Sequence, residues 1–148
     1  MNIKEVINND FKIAFKEKDD ATRSVLTMLK SAIKNKEIDL RVENLSEDQV
    51  MDVITSEVKK RKDSVMQYRA GGREDLASSE EKEVTVLMKY MPEQMTETEI
   101  EEVVERTISE VGAKDIKDLG KVMAALKDKT KGKADGSVVS GIVKKKLS

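Results

Sequence analysis

Apolar residues recur every three or four positions along nearly all of this chain, and a single proline, Pro92, interrupts them. That spacing is the period of an α-helix with one buried face, and no stretch alternates as a half-buried strand would. The expected fold class is therefore all-α. Ile3, Ile7, Phe11 and Ala14 mark a first helix, and Asp19 or Asp20 is placed to cap a second one carrying Val25, Leu26, Leu29, Ala32 and Ile33. Ser46 and Gln49 have capping-box spacing ahead of a long third helix, with Val50, Ile54, Val58, Val65 and Tyr68 on one face until Gly71-Gly72 stops it. Val84, Leu87 and Met91 form a fourth stripe that ends at Pro92.

A residue preceding proline is pushed out of helical geometry, so the domain boundary is expected at Pro92. Residues 1–92 read as an N-terminal multi-helix bundle and residues 93–148 as a small three-helix domain. Thr96 and Glu99 have capping-box spacing, and Ile100, Val103, Val104, Ile108 and Val111 form a stripe that stops at Gly112. Ile116, Leu119, Met123 and Leu126 follow at helical spacing. After a turn at Gly132 to Gly136, Ser137 is expected to cap a last helix bearing Val138, Val139, Ile142, Val143 and Leu147.

Composition narrows the chemistry. The 148 residues include no Cys and no His, which removes disulfides, thiolate nucleophiles, Cys-ligated metals and the commonest general base. Self-contained hydrolase or metalloenzyme chemistry is disfavoured, although carboxylates and lysines remain. Charged residues make up 39% and aromatics 3%, the composition of exposed amphipathic helices with an Ile, Val, Leu and Met core. The N-terminus lacks a basic-then-apolar leader, and no apolar run approaches the ~20 residues of a membrane span, so a cytoplasmic protein without membrane association is expected.

Charge is unevenly distributed. Gly112 to Ser148 carries ten Lys against four Asp, a local charge of +6, while the rest of the chain carries −7. A polyanion could dock on the basic end and be repelled elsewhere. Lys121, Lys127, Lys129, Lys131 and Lys133 run along the sixth helix into its following turn. Unpaired backbone N–H groups after Ser137 point at the same space, so these donors with Lys131 and Lys133 would make a phosphate-binding corner. Gly132 sits where a left-handed helix C-cap is expected and Gly136 directly precedes the cap serine, so turning the backbone explains both glycines, and Asp135 reads as a turn or capping residue. The acids of Glu97 to Glu110 read as a solvated helix face, or as a negative surface that orients the basic end.

Other candidates carry less. Lys59-Lys60-Arg61-Lys62 wraps around the third helix and cannot face one ligand, with Arg61 on the apolar stripe and Glu57 and Asp63 nearby as partners. Tyr68 and Tyr90 are isolated, which argues against a base-stacking platform. Gly71-Gly72-Arg73 is a helix stop, and no phosphate-loop, dinucleotide or paired-carboxylate pattern is present. No cofactor and no metal is implied.

The stop Tyr90-Met91-Pro92-Glu93-Gln94-Met95, the acidic helix, Gly120-Lys121-Val122-Met123 and Lys131-Gly132-Lys133-Ala134-Asp135-Gly136-Ser137 together resemble the YqeY family, as does Lys60-Arg61-Lys62-Asp63-Ser64. That family is similar to the C-terminal tail of GatB, a subunit of the glutamine-dependent amidotransferase acting on misacylated tRNA. The resemblance implies a tRNA-facing unit comprising Lys121, Lys127, Lys129, Lys131, Gly132, Lys133, Gly136 and Ser137. It carries no catalytic residues. The expected function is a tRNA-binding or amidotransferase-associated module, with an amidotransferase or aminoacyl-tRNA synthetase as possible protein partner. Two alternatives stay open: a helical protein-interaction adaptor, and a partner-dependent carbon–nitrogen ligase using glutamine as amide donor on aminoacyl-tRNA.

Overall fold

The computed structural model describes residues 2–148, and all regular structure among them is helical. In order come α1 (Ile3–Lys16), α2 (Asp20–Leu40), α3 (Glu47–Ala70), α4 (Glu74–Met88), α5 (Glu97–Val111), α6 (Leu119–Thr130) and α7 (Gly136–Leu147), with a 3-10 turn at Ile116–Asp118 before α6. They form two compact units, one ending at Met91 and the other Pro92–Ser148.

The helix ends follow local chemistry. Asp19, not Asp20, caps α2, its carboxylate accepting from Thr22 N at 3.2 Å. Both arms of the Ser46 box form, at 3.2 Å from Gln49 N to the hydroxyl and 2.9 Å from Ser46 N to the Gln49 side chain. At Thr96 only half the box forms: the hydroxyl accepts from Glu99 N, but the Glu99 carboxylate takes the Thr96 hydroxyl proton instead of reaching the backbone. Gly72 and Gly112 adopt φ of +74° and +67°, the left-handed geometry that ends α3 and α5 and that a side chain would strain.

In the N-terminal unit, α1 and α2 pair, α3 lies along α4, and α2 touches both α3 and α4. Ile7, Leu26, Leu29, Ile54 and Leu87 are almost wholly removed from solvent, each worth roughly 2–3 kcal/mol of burial. Tyr90 is not isolated. Its hydroxyl donates to Asp10 Oδ2 at 2.6 Å, tying the end of the fourth helical segment to α1, and burial with the nearby Asp10 charge pushes the phenol above its ordinary range.

The apolar stripe of α2 ends in a charge. Glu37 is only 2% exposed, and its Oε2 accepts from Lys4 Nζ at 2.8 Å and from Leu45 N at 3.1 Å. Lys4 also reaches Asn44 Oδ1 at 2.9 Å. One carboxylate thus joins α1, α2 and the loop entering α3, and a buried charge is tolerable because it is paired and hydrogen-bonded.

In the C-terminal unit α5, α6 and α7 pack mutually around Ile100, Val104, Val122, Leu126, Val139, Val143 and Leu147. Two stripe residues fall outside this core. Ile116 is 48% exposed because it lies in the 3-10 turn, whose three-residue period puts it out of phase with α6, and Val122 takes the inward position. Val138 is 47% exposed because adjacent helical residues point about 100° apart, and Val139 holds the inward position.

Glu37→Ala is expected to cost about 2 to 3 kcal/mol, since it orphans the buried Leu45 N and removes one of two partners of the partly exposed Lys4 ammonium. The Lys4 hydrogen bond holds the Glu37 carboxyl below its ordinary value of 4.5, against the opposing effect of burial. The unfolded chain therefore takes up the proton first, and this stabilisation is complete above about pH 4.5 and lost as pH falls through the depressed folded value. Denaturant midpoints of parent and variant should converge in that acid window; a constant gap down to pH 2 would contradict this role for Glu37.

Candidate nucleic-acid interface

The turn between α6 and α7 is held from inside. Lys131 N closes the last α6 bond to Lys127 O at 3.0 Å, and Gly132 then turns left-handed with φ +73°. Lys133 N and Ala134 N both return to Thr130 O, at 2.9 and 3.1 Å. The two carbonyls of the turn are also occupied: Gly132 O accepts from Gln94 Nε2 at 2.8 Å, and Lys133 O from Met95 N at 2.8 Å. Gly132 is buried, while Lys131 and Lys133 are exposed on its two sides. Backbone anchoring thus fixes the edge from which the two lysine stems project.

The helix N-terminus beside them is already filled. Asp135, not Ser137, is the cap of α7, and its Oδ1 accepts from Ser137 N at 2.8 Å. Gly136 and Ser137 are the first two residues of the helix. A carboxylate in this position supplies the negative charge that the helix dipole favours, so a phosphate would have to compete with Asp135 for the same amide. The expected corner of backbone donors is therefore self-capped.

The five lysines do not act as one group. Lys129 turns back across the unit, its Nζ donating to Glu110 Oε2 at 2.9 Å and to the buried Thr107 hydroxyl at 3.1 Å. Glu110 is held below its ordinary range by this contact. Lys121 lies about 120° around α6 from Lys127 at ~100° per residue, on a different face. Lys127 is exposed one turn before Lys131. The edge consists of Lys127, Lys131 and Lys133.

Tertiary folding also cancels the charge asymmetry read along the chain. The basic block and the acidic α5 belong to one unit, Pro92–Ser148, which carries eleven basic and eleven acidic residues. Lys146 meets Glu105 at 2.5 Å, as Lys129 meets Glu110. The polarity is one of faces within a neutral unit. Sequence reading missed Gln94 and Met95 as clamps of the turn and Glu105 and Glu110 as lysine partners. Only the capping preference of Asp135 was visible in advance.

These elements define a small all-α protein with a lysine-edged, glycine-turned C-terminal unit. The family described as Yqey-like protein matches residues 4–147, and the chain belongs to that family. It is similar to Altered inheritance of mitochondria protein 41, mitochondrial, from Saccharomyces cerevisiae strain YJM789, with 31% identity over 96 residues, which are 65% of this chain and 52% of that protein. The Lachancea thermotolerans protein of the same name is 32% identical over 107 residues, 71% of this chain and 57% of its own length. The one from Vanderwaltozyma polyspora is 34% identical over 85 residues, 57% of this chain and 46% of its own. The chain spans about half the length of the curated relatives it matches.

The two glycines of the turn should respond differently to alanine. Gly132→Ala forces a side chain into left-handed geometry and should cost about 1–2 kcal/mol. A Cβ at Gly136 would meet nothing within 4 Å, and its φ is ordinary, so Gly136→Ala should be neutral or stabilise by about 0.5 kcal/mol. Thermal melts of the two variants check this, and equal losses would contradict the assignment.

Proposed function

We propose that this chain is an RNA-binding module without an active site of its own, tRNA being the RNA its resemblance to the GatB tail implies. The observation that carries the reading is the anchored turn. Gln94 and Met95 hold both carbonyls of Gly132-Lys133, which fixes the lysine edge before any ligand arrives. Pre-ordering removes part of the entropy that a flexible basic tail loses on binding. Lysine ammonium groups on such an edge meet phosphate oxygens, which position an RNA without reading its bases. Selectivity then follows the shape of the folded RNA. Self-capping by Asp135 makes the contact one of side chains, with α7 amides excluded. An association with an amidotransferase would use the same unit as an RNA-docking tail while chemistry takes place on the partner.

With about three neutralised phosphates from Lys127, Lys131 and Lys133, log affinity should fall against log salt with a slope of about −2 to −3. Binding of a tRNA should weaken roughly 20- to 40-fold between ~50 and ~200 mM salt. The double variant Lys127→Glu with Lys133→Glu should lose about tenfold or more in affinity and flatten that slope, with an unchanged helical signal. Asp135→Asn keeps the cap but removes the competing charge, and should tighten binding. Filter binding or anisotropy measures all three. A double variant that binds tRNA as the parent does would overturn the proposal.

A further inference from the structure

The Gln94 side chain reaches the α6–α7 turn with its amide in a single orientation. Its Nε2 donates to Pro92 O and to Gly132 O, both at 2.8 Å. Two carbonyl oxygens can be met only by the nitrogen of an amide, so both of its N–H groups are spent and the group cannot be reversed. The other end, Oε1, has no hydrogen-bond partner among the described residues, and Gln94 is exposed. It presents acceptor lone pairs to solvent and nothing else. The length of an amide puts Oε1 within about 5 Å of Gly132 O, on the residue flanked by Lys131 and Lys133.

An acceptor is the wrong group for a phosphate. Phosphate oxygens bring no proton, so Oε1 repels the ions that the lysines attract, and its partner has to be a donor lying beside a phosphate. The turn itself does not supply one, because Lys133 N and Ala134 N return to Thr130 O and Met95 N to Lys133 O. Along a nucleic-acid backbone the choice is narrow. The sugar–phosphate chain of DNA carries no hydrogen-bond donor between its ends, whereas every RNA nucleotide carries one, the 2′-hydroxyl, on the sugar next to its phosphate. Base amino and imino groups also donate, but lysines that hold the backbone bring the sugar, not the base, to the turn.

We propose that Gln94 Oε1 accepts a hydrogen bond from a ribose 2′-hydroxyl, which makes Gln94 the residue by which this edge distinguishes RNA from DNA. The inference rests on the RNA reading of the lysine edge: the lysines supply an attraction that any polyanion shares, and Gln94 supplies the discrimination. Because the same amide clamps Gly132 O, the acceptor is held in place beside Lys133 and needs no ordering when RNA arrives.

The test compares one tRNA transcript with the same sequence carrying 2′-fluoro in place of every 2′-hydroxyl. Fluorine keeps the A-form helix and every phosphate and removes the donor. Anisotropy on the full chain should give about fivefold weaker binding of the fluoro polymer, the loss of one neutral hydrogen bond, with an unchanged salt slope. Gln94→Ala removes the clamp together with the acceptor, so it should weaken both polymers. A purely structural role would weaken them equally, whereas loss of Oε1 should weaken the RNA about fivefold more and bring the two polymers to parity. A second readout uses the parent alone: the Gln94 Nε2–H signals should shift with the RNA and stay in place with the fluoro polymer. Equal binding of the two polymers by the parent, a preference that survives in Gln94→Ala, or identical shifts with both would each overturn the role of Gln94 and leave the RNA reading standing. A parent chain that binds neither polymer would overturn the RNA reading and this inference with it.

Discussion

The Glu37 carboxylate is the constraint on which the N-terminal unit depends. Helices of 14 to 24 residues rich in charge have narrow apolar stripes, and a narrow stripe fixes which faces meet but leaves helices free to slide and rotate. Glu37 removes that freedom. Its oxygen accepts from α1 through Lys4 and from the loop backbone at Leu45, so the positions of α1 and of the entry to α3 are fixed relative to α2. Ile3 N meeting the Glu47 carboxylate at 3.2 Å fastens the start of α1 to the start of α3 directly. Tyr90 and Asp10 close the unit from its far end.

The C-terminal unit solves the same problem with its backbone. Only seven residues form its buried hydrophobic cluster, all of them Ile, Val or Leu. The segment leading into α5 is stitched to the α6–α7 turn by a side-chain amide and a peptide N–H, and these bonds do not titrate. Lys129 is drawn into the fold through Glu110 and Thr107. The arrangement leaves positive groups at an edge whose shape is set by neutral contacts, which salt does not screen.

Buried Arg61 shows the other use of a polar group inside a stripe. Glu57 matches one end of the guanidinium within the same helix, but Nε is left facing a carboxyl that Glu80 and burial both drive toward its protonated form. Such partial satisfaction costs stability.

Helix existence, the stops at Gly72 and Gly112, the Ser46 box and a cap at Asp19 or Asp20 were legible in the chain because each depends on residues within four positions of one another. Gly132 was legible as a left-handed turn for the same reason. What the local pattern could not reveal were the partners. Gln94 lies 38 residues from Gly132, Lys129 lies 19 from Glu110, and Glu37 lies 33 from Lys4. The corner at Ser137 was misread because two residues, Asp135 and Ser137, both qualify as caps, and the backbone geometry at Asp135 decided between them. Charge misled most: the linear block of lysines looked like a separate basic end, yet the acidic helix preceding it folds against it. By itself, then, the sequence determined that the chain is helical, where several of the helices are capped or stopped, and which residues are apolar enough to be buried, since those follow from periodicity and short-range hydrogen bonding. Tertiary structure alone decided which charges remain available to a ligand, because an ion pair depends on distance in space and folding brings distant residues within 3 Å of each other.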